Sequence, residues 1–155
     1  KSLKSTQKYY DETKSLTSIQ IKEFSFLYII LNKPVFLRDN FHLIENVKLF
    51  SNENKILFEA ILKQSNNFKE FNIDDMKIDK NLIDQVFKYA SIKNIWKKNS
   101  KDDEKIESIL SELIRDLKNH ELELRIQDLE DKFSKDLSED TFNKLKELKK
   151  LQNLN

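Results

Sequence analysis

Not one of the 155 residues is glycine, and only one, Pro34, is proline. Tight turns between strands need residues that tolerate positive φ, and glycine is their usual supplier. Loops that cradle phosphate need it too, because there the backbone must approach the ligand closely. The chain is therefore expected to be all-α, and the same feature argues against nucleotide chemistry. This length suits one domain, or one domain with a small appendage.

Residues 1–16 are polar and lack helical periodicity, with Leu3, Tyr9, Tyr10 and Leu16 as their only large apolar groups. They are expected to be a linker remnant. A helix is predicted over 18–32, with Thr17 or Ser18 supplying the capping oxygen. Phe24, Leu27, Tyr28 and Leu31 recur at helical spacing there, and Ile21 and Ile30 widen the face. Pro34 disfavours helical geometry at Lys33 and starts a second helix through Val35, Leu37, Phe41 and Ile44. Ser51 is the expected cap of a third helix, which turns Ile56, Leu57, Ala60 and Ile61 to the core. Residues 65–75 read as a polar loop or short helix with Phe68, Phe71 and Ile73 scattered through it. Another helix begins near Asp79 and carries Leu82, Ile83, Val86, Phe87 and Ala90, followed by a short segment with Ile92, Ile95 and Trp96. Together these elements predict a helical bundle over residues 17–119.

The second half reads differently. Residues 102–136 contain no helix breaker, and Asp102, Asp103 and Glu104 sit where the positive end of a helix dipole favours them. A helix of that length spans roughly 50 Å. Its apolar stripe changes face midway: Ile106, Leu110, Leu113, Leu117 and Leu124 form one seam, and Leu122, Ile126, Leu129 and Phe133 another. The step of five from Leu117 to Leu122 rotates the seam by about 140°. The first half should pack on the bundle and the second on something else. Leu137-Ser138-Glu139-Asp140 then reads as a turn into a last helix capped by Ser138, with Phe142, Leu145, Leu148 and Leu151 as its narrow stripe. The result is a C-terminal helical hairpin over residues 120–155, and a hairpin with spare apolar surface is a candidate docking element.

This order of parts resembles the C-terminal helicase-binding domain of bacterial DNA primases. Residues 23–34, Glu-Phe-Ser-Phe-Leu-Tyr-Ile-Ile-Leu-Asn-Lys-Pro, are similar to the family's first bundle helix: an acid, a leucine-like run, then a loop ending in proline. Residues 122–129 and the Leu-Ser-acid turn at 137–142, followed by Leu145, Leu148 and Leu151, match the family's end more closely. Trp96 ahead of the long helix looks most like primases of the alphaproteobacterial type. The similarity spans about residues 18–154, through degenerate and mostly apolar motifs. It implies a non-catalytic domain, without cofactor or metal, that binds the N-terminal domain of the replicative DNA helicase through the terminal hairpin. The partner-binding residues so implied are Leu137, Ser138, Phe142, Leu145, Lys146, Leu148, Lys149, Leu151 and Gln152. Some of the apolar ones must also close the hairpin, and the sequence does not divide the two duties. The helicase's own N-terminal domain shares the bundle and a similar first helix, and is the alternative within the same resemblance.

Other constellations carry less. His120-Glu121 would need a second histidine four residues on to read as a metalloprotease motif, and Leu124 stands there. His42 with Glu45 reads as a surface pair. Asp74, Asp75 and Asp79 lack the glycine and terminal glutamate of a calcium loop and read as helix-capping residues. Lys97, Lys98 and Lys101 beside Trp96 read as a solvated loop around a core tryptophan, because Asp102 to Glu104 would cancel much of their field. At most weak single-stranded DNA contact is expected from them. The overall balance of 28 basic and 27 acidic residues also weighs against a dedicated nucleic-acid binder. A self-associating scaffold using residues 106–151 is a further rival, whereas the primase reading expects a monomer. No cysteine is present, which excludes disulfides and thiolate metal sites and fits a cytoplasmic location. No apolar run approaches the roughly 18 residues of a membrane span, and no membrane role is expected. The first residue is Lys1 rather than methionine, so the chain is expected to be a portion of something longer.

Overall fold

The computed structural model describes residues 16–65 and 77–154. The expectations for a linker over 1–15, for a loop over 66–75 and for capping by Asp74 and Asp75 lie outside them. Leu16, expected in the linker, packs on the core, and Ser65, expected in the loop, ends a helix. Among the described residues the chain is all-helical, with eight helices: α1 Ser18–Asn32, α2 Pro34–Asp39, α3 Phe41–Ile44, α4 Asn52–Ser65, α5 Lys80–Tyr89, α6 Lys93–Asn99, α7 Asp103–Lys135 and α8 Glu139–Asn153.

Local chemistry sets most of the helix starts. The Thr17 hydroxyl accepts from the Gln20 amide at 3.2 Å while the Gln20 side chain accepts from the Thr17 amide at 2.9 Å, a reciprocal capping box. Asp79 caps α5, Asp102 caps α7 and Ser138 caps α8, each through a side-chain oxygen that accepts from a first-turn amide without the reciprocal bond. Asn40 divides what the sequence suggested was one helix. Its side-chain amide donates to the Phe36 carbonyl at 3.0 Å, offering the backbone a local alternative to continuing the turn, so α2 stops at Asp39.

The first helix is the centre of the bundle. It packs against α2, α4, α5 and α7, and Phe26, Leu27, Ile29 and Ile30 are completely buried. A single apolar face was expected here, but a helix with neighbours on every side is apolar nearly all round. Aromatic edges tie it to its surroundings: Phe26 meets Phe58 of α4 with ring centroids 5.4 Å apart, and Tyr28 meets Phe87 of α5 and Trp96 of α6 at the same separation. Burial also pushes the Tyr28 phenol above its ordinary pKa.

Three expected core positions are displaced. Val35 is exposed while Phe36 and Leu37 are buried; Ile56 is exposed while Phe58 is buried; and Ile95 is exposed beside buried Ile92. Each is a small error of phase on a helix that turns about 100° per residue.

One buried acid holds two helices together. Glu23 of α1 is fully buried, and its carboxylate accepts from the Ser51 amide at 3.3 Å, from the Asn54 side chain at 3.1 Å and from the Phe50 amide. These donors lie at the N-terminal end of α4, where orphan N–H groups and the helix dipole favour negative charge. The carboxylate reaching that end comes from another helix, although Ser51 occupies the expected cap position.

The long helix α7 runs unbroken through 118–121. Its first half contributes Ile106, Leu110, Ile114 and Leu117 to the main core, and its second half contributes Ile126 to a separate cluster with Leu145 and Leu148 of α8. The change of face falls between Leu117 and Leu122, as the seams implied. Leu113 is only half-buried and Ile114 takes the deeper position.

Candidate docking surface

The turn from α7 into α8 is built by Ser138. Its hydroxyl oxygen accepts from the Thr141 amide at 3.2 Å and donates to the Thr141 hydroxyl at 2.8 Å. The two helices then pack along their length. Leu145 and Leu148, each 8% exposed, close on Ile126, with Leu122 and Leu129 alongside.

The remaining apolar residues of α8 and its flanks lie elsewhere. Phe142 is 40% exposed, Leu151 52%, Leu137 76% and Leu154 81%. Helix geometry explains the division. Residues spaced by exactly three positions drift about 60° around a helix at every step, because three residues turn only about 300°. A stripe at 142, 145, 148, 151 and 154 therefore winds across the surface. Its middle members are buried against α7, and its ends turn toward solvent. Leu154 belongs to this stripe, and the regular spacing beyond Leu151 was the signal for it.

Charged side chains frame the outer face. Lys146 lies over the Phe142 ring at 4.9 Å, and Phe142 also touches Phe133 of α7 at 5.7 Å between centroids. Lys149 pairs with Glu130 across the hairpin at 3.0 Å, and Lys144 pairs with Asp140 within α8 at 3.5 Å. Lys150 and Gln152 are exposed in the last turns. Of the nine residues expected to bind a partner, Leu145 and Leu148 are thus spent on the hairpin's own core and Ser138 on its cap. Leu137, Phe142, Lys146, Leu151 and Gln152 present surface, and Lys149 is tied to Glu130.

Where the hairpin leaves the bundle, the Phe50 ring stands perpendicular to the His120 imidazole at 5.7 Å, and Lys48 pairs with Glu121 at 3.6 Å. A groove of about 530 Å³ opens there, floored by Val47, Leu49 and Phe58 and edged by Glu121 and Leu124. Leu124 belongs to this rim, 38% exposed, and not to the bundle seam in which it was expected. His120 Nε2 is buried without a hydrogen-bond partner.

The remaining candidates are scattered. His42 pairs with Glu45 at 3.4 Å on the open surface. Trp96 packs edge-on against Tyr28, and Lys33 lies over its ring at 5.7 Å. Lys97 and Lys98 belong to the last turn of α6, where a loop was expected. Among the described residues no three His, Cys, Asp or Glu side chains converge as metal ligands, and no helix is long and apolar enough to cross a membrane. In comparisons with known proteins, no family model, curated protein or solved structure matches the chain.

Proposed function

We propose that this chain is a docking domain of the primase type, which recruits a DNA primase to the replicative helicase by presenting its terminal hairpin to the helicase's N-terminal domain. The resemblance of residues 18–154 supplies the identity of the partner. The observation that carries a docking role is the division along α8 and its flanks: Leu145 and Leu148 are buried in the hairpin core, while Leu137, Leu151, Leu154 and the outer part of Phe142, which rests on Phe133, stay exposed. Exposed apolar side chains interspersed with lysines suit a helical partner surface with acidic edges. The domain carries no chemistry of its own in this reading.

The test is calorimetric titration against the N-terminal domain of the same organism's replicative helicase. Saturable binding is expected, and Phe142→Ala or Leu151→Ala should each weaken it by at least about 1–2 kcal/mol if they are hot spots. Circular dichroism on the same samples verifies that both variants keep their helices. No binding to the domain or to the intact helicase ring would sink the proposal. Sedimentation separates the scaffold alternative, which requires stable oligomers at the same concentrations.

A further inference from the structure

We infer that Lys97, Lys98 and Lys101, at the junction of α6 and α7, form a contact surface for the phosphate backbone of a single-stranded nucleic acid. The surface lies apart from the terminal hairpin and does not rest on the docking role proposed for it. The sequence argued against it because three acids follow immediately. The structure changes that balance. Asp103 is paired with Lys33 from the end of α1. The Asp102 carboxylate accepts from the Lys105 amide at 3.2 Å as the cap of α7, and Glu104 stands in the first turn of the same helix. Both therefore face the positive end of a long helix dipole, which offsets part of their charge.

With the Lys33–Asp103 pair set aside, Lys97, Lys98, Lys101 and Lys105 stand against Asp102 and Glu104. All four lysines are exposed, and none of them takes part in an ion pair among the described residues. Their bland role is to complement the carbonyl end of α6. A helix of seven residues needs no such concentration of lysine for that purpose.

The surroundings choose the class of partner. A membrane-surface helix needs a broad apolar face, but Ile92 and Trp96 are turned to the core and only Ile95 is left exposed. Trp96 is occupied by Tyr28 and Lys33, so it offers no free platform for a stacked base. The contact is therefore electrostatic and indifferent to sequence, and it weakens with salt through counterion release.

The experiment is fluorescence anisotropy of a short labelled oligothymidylate titrated with the full chain at several salt concentrations. Three phosphate contacts give a slope of about −2 in log affinity against log salt, or about 20-fold weaker binding between about 50 and 200 mM. Charge reversal by Lys97→Glu, Lys98→Glu and Lys101→Glu together should reduce affinity by at least about tenfold at the lower salt. Reversal of Lys146 and Lys150 on α8 should leave it nearly unchanged, and circular dichroism verifies both folds. The inference is overturned by absence of binding at low salt, by a triple variant that binds as well as the parent, by a loss that follows the α8 pair, or by capture on anionic vesicles with none on the oligonucleotide.

Discussion

Replacing Glu23 by glutamine removes one charge and exchanges one oxygen for an NH2 group inside the bundle. The carboxylate accepts three hydrogen bonds, two on Oε1 and one on Oε2. Bonds to a charged group contribute about 1.5–3 kcal/mol each, against about 0.5–1.5 for neutral ones. Glutamine in its best orientation keeps the bonds to Ser51 and Asn54 in their weaker neutral form. It turns its own N–H toward the Phe50 amide, so donor meets donor. The opposing term is relief of the carboxylate's desolvation, which favours the variant. With the site closed to water, the lost bonds outweigh that relief, and the net loss is about 2 kcal/mol. Glu23→Ala leaves all three donors without their partner and should lose about 3–5 kcal/mol. Domains of this kind are stable by only about 5–15 kcal/mol, so either change is a large fraction of the whole. Urea unfolding followed by Trp96 fluorescence measures it, because Trp96 packs on Tyr28 of the same helix. An unchanged slope assigns the shift to stability rather than to compactness. A glutamine variant within about 0.5 kcal/mol of the parent would refute the reasoning, since changes of that size are typical of surface positions without such bonds.

Other outcomes follow from the packing. Leu148→Ala should destabilise the hairpin by about 2–3 kcal/mol through the cavity it leaves; hydrogen exchange should show protection falling over residues 139–153 while the amides of 18–32 stay protected. Tyr28, raised by burial above its ordinary value of 10.0, should ionise above the ordinary tyrosine range in an ultraviolet titration, a step that Tyr28→Phe removes. The folded state then holds that proton more tightly than the unfolded chain, so this contribution to stability is intact below pH about 10 and declines as pH rises through the folded value. Tyr28→Phe should abolish that part of the alkaline decline.

The helix order was legible because its determinants are local. Thr17, Asp79, Asp102 and Ser138 cap helices through atoms two or three positions away, and such geometry is written into short stretches of sequence. Burial was harder to read. Periodicity marks a face only where the opposite side meets water, so it understated α1, which has neighbours all around. It also exchanged Val35 for Phe36 and Ile56 for Phe58, where the phase of a short helix depends on tertiary packing. Glu23 stood out as an acid within an apolar run, but its donors lie 27 to 31 residues away and no local pattern connects them. On the hairpin, the drift of an every-third-residue stripe was available in the spacing. Which part of that drift meets α7 depends on the rotation of one helix against the other.

The separation in sequence between α1 and its partners sets a timetable for its burial. Of the described helices, the central one is made first. Glu23 waits 27 residues for the Phe50 amide, Ser25 waits 66 for its hydroxyl partner Ser91, and Lys33 waits 70 for Asp103. At about 5–20 residues per second of synthesis, the last of these intervals is about 4–14 s. The partners of α1 consequently become available in chain order, α4 before α5 and α5 before α7. A nascent chain paused before α7 emerges would leave one flank of α1 uncovered and open to whatever chaperone reaches it first.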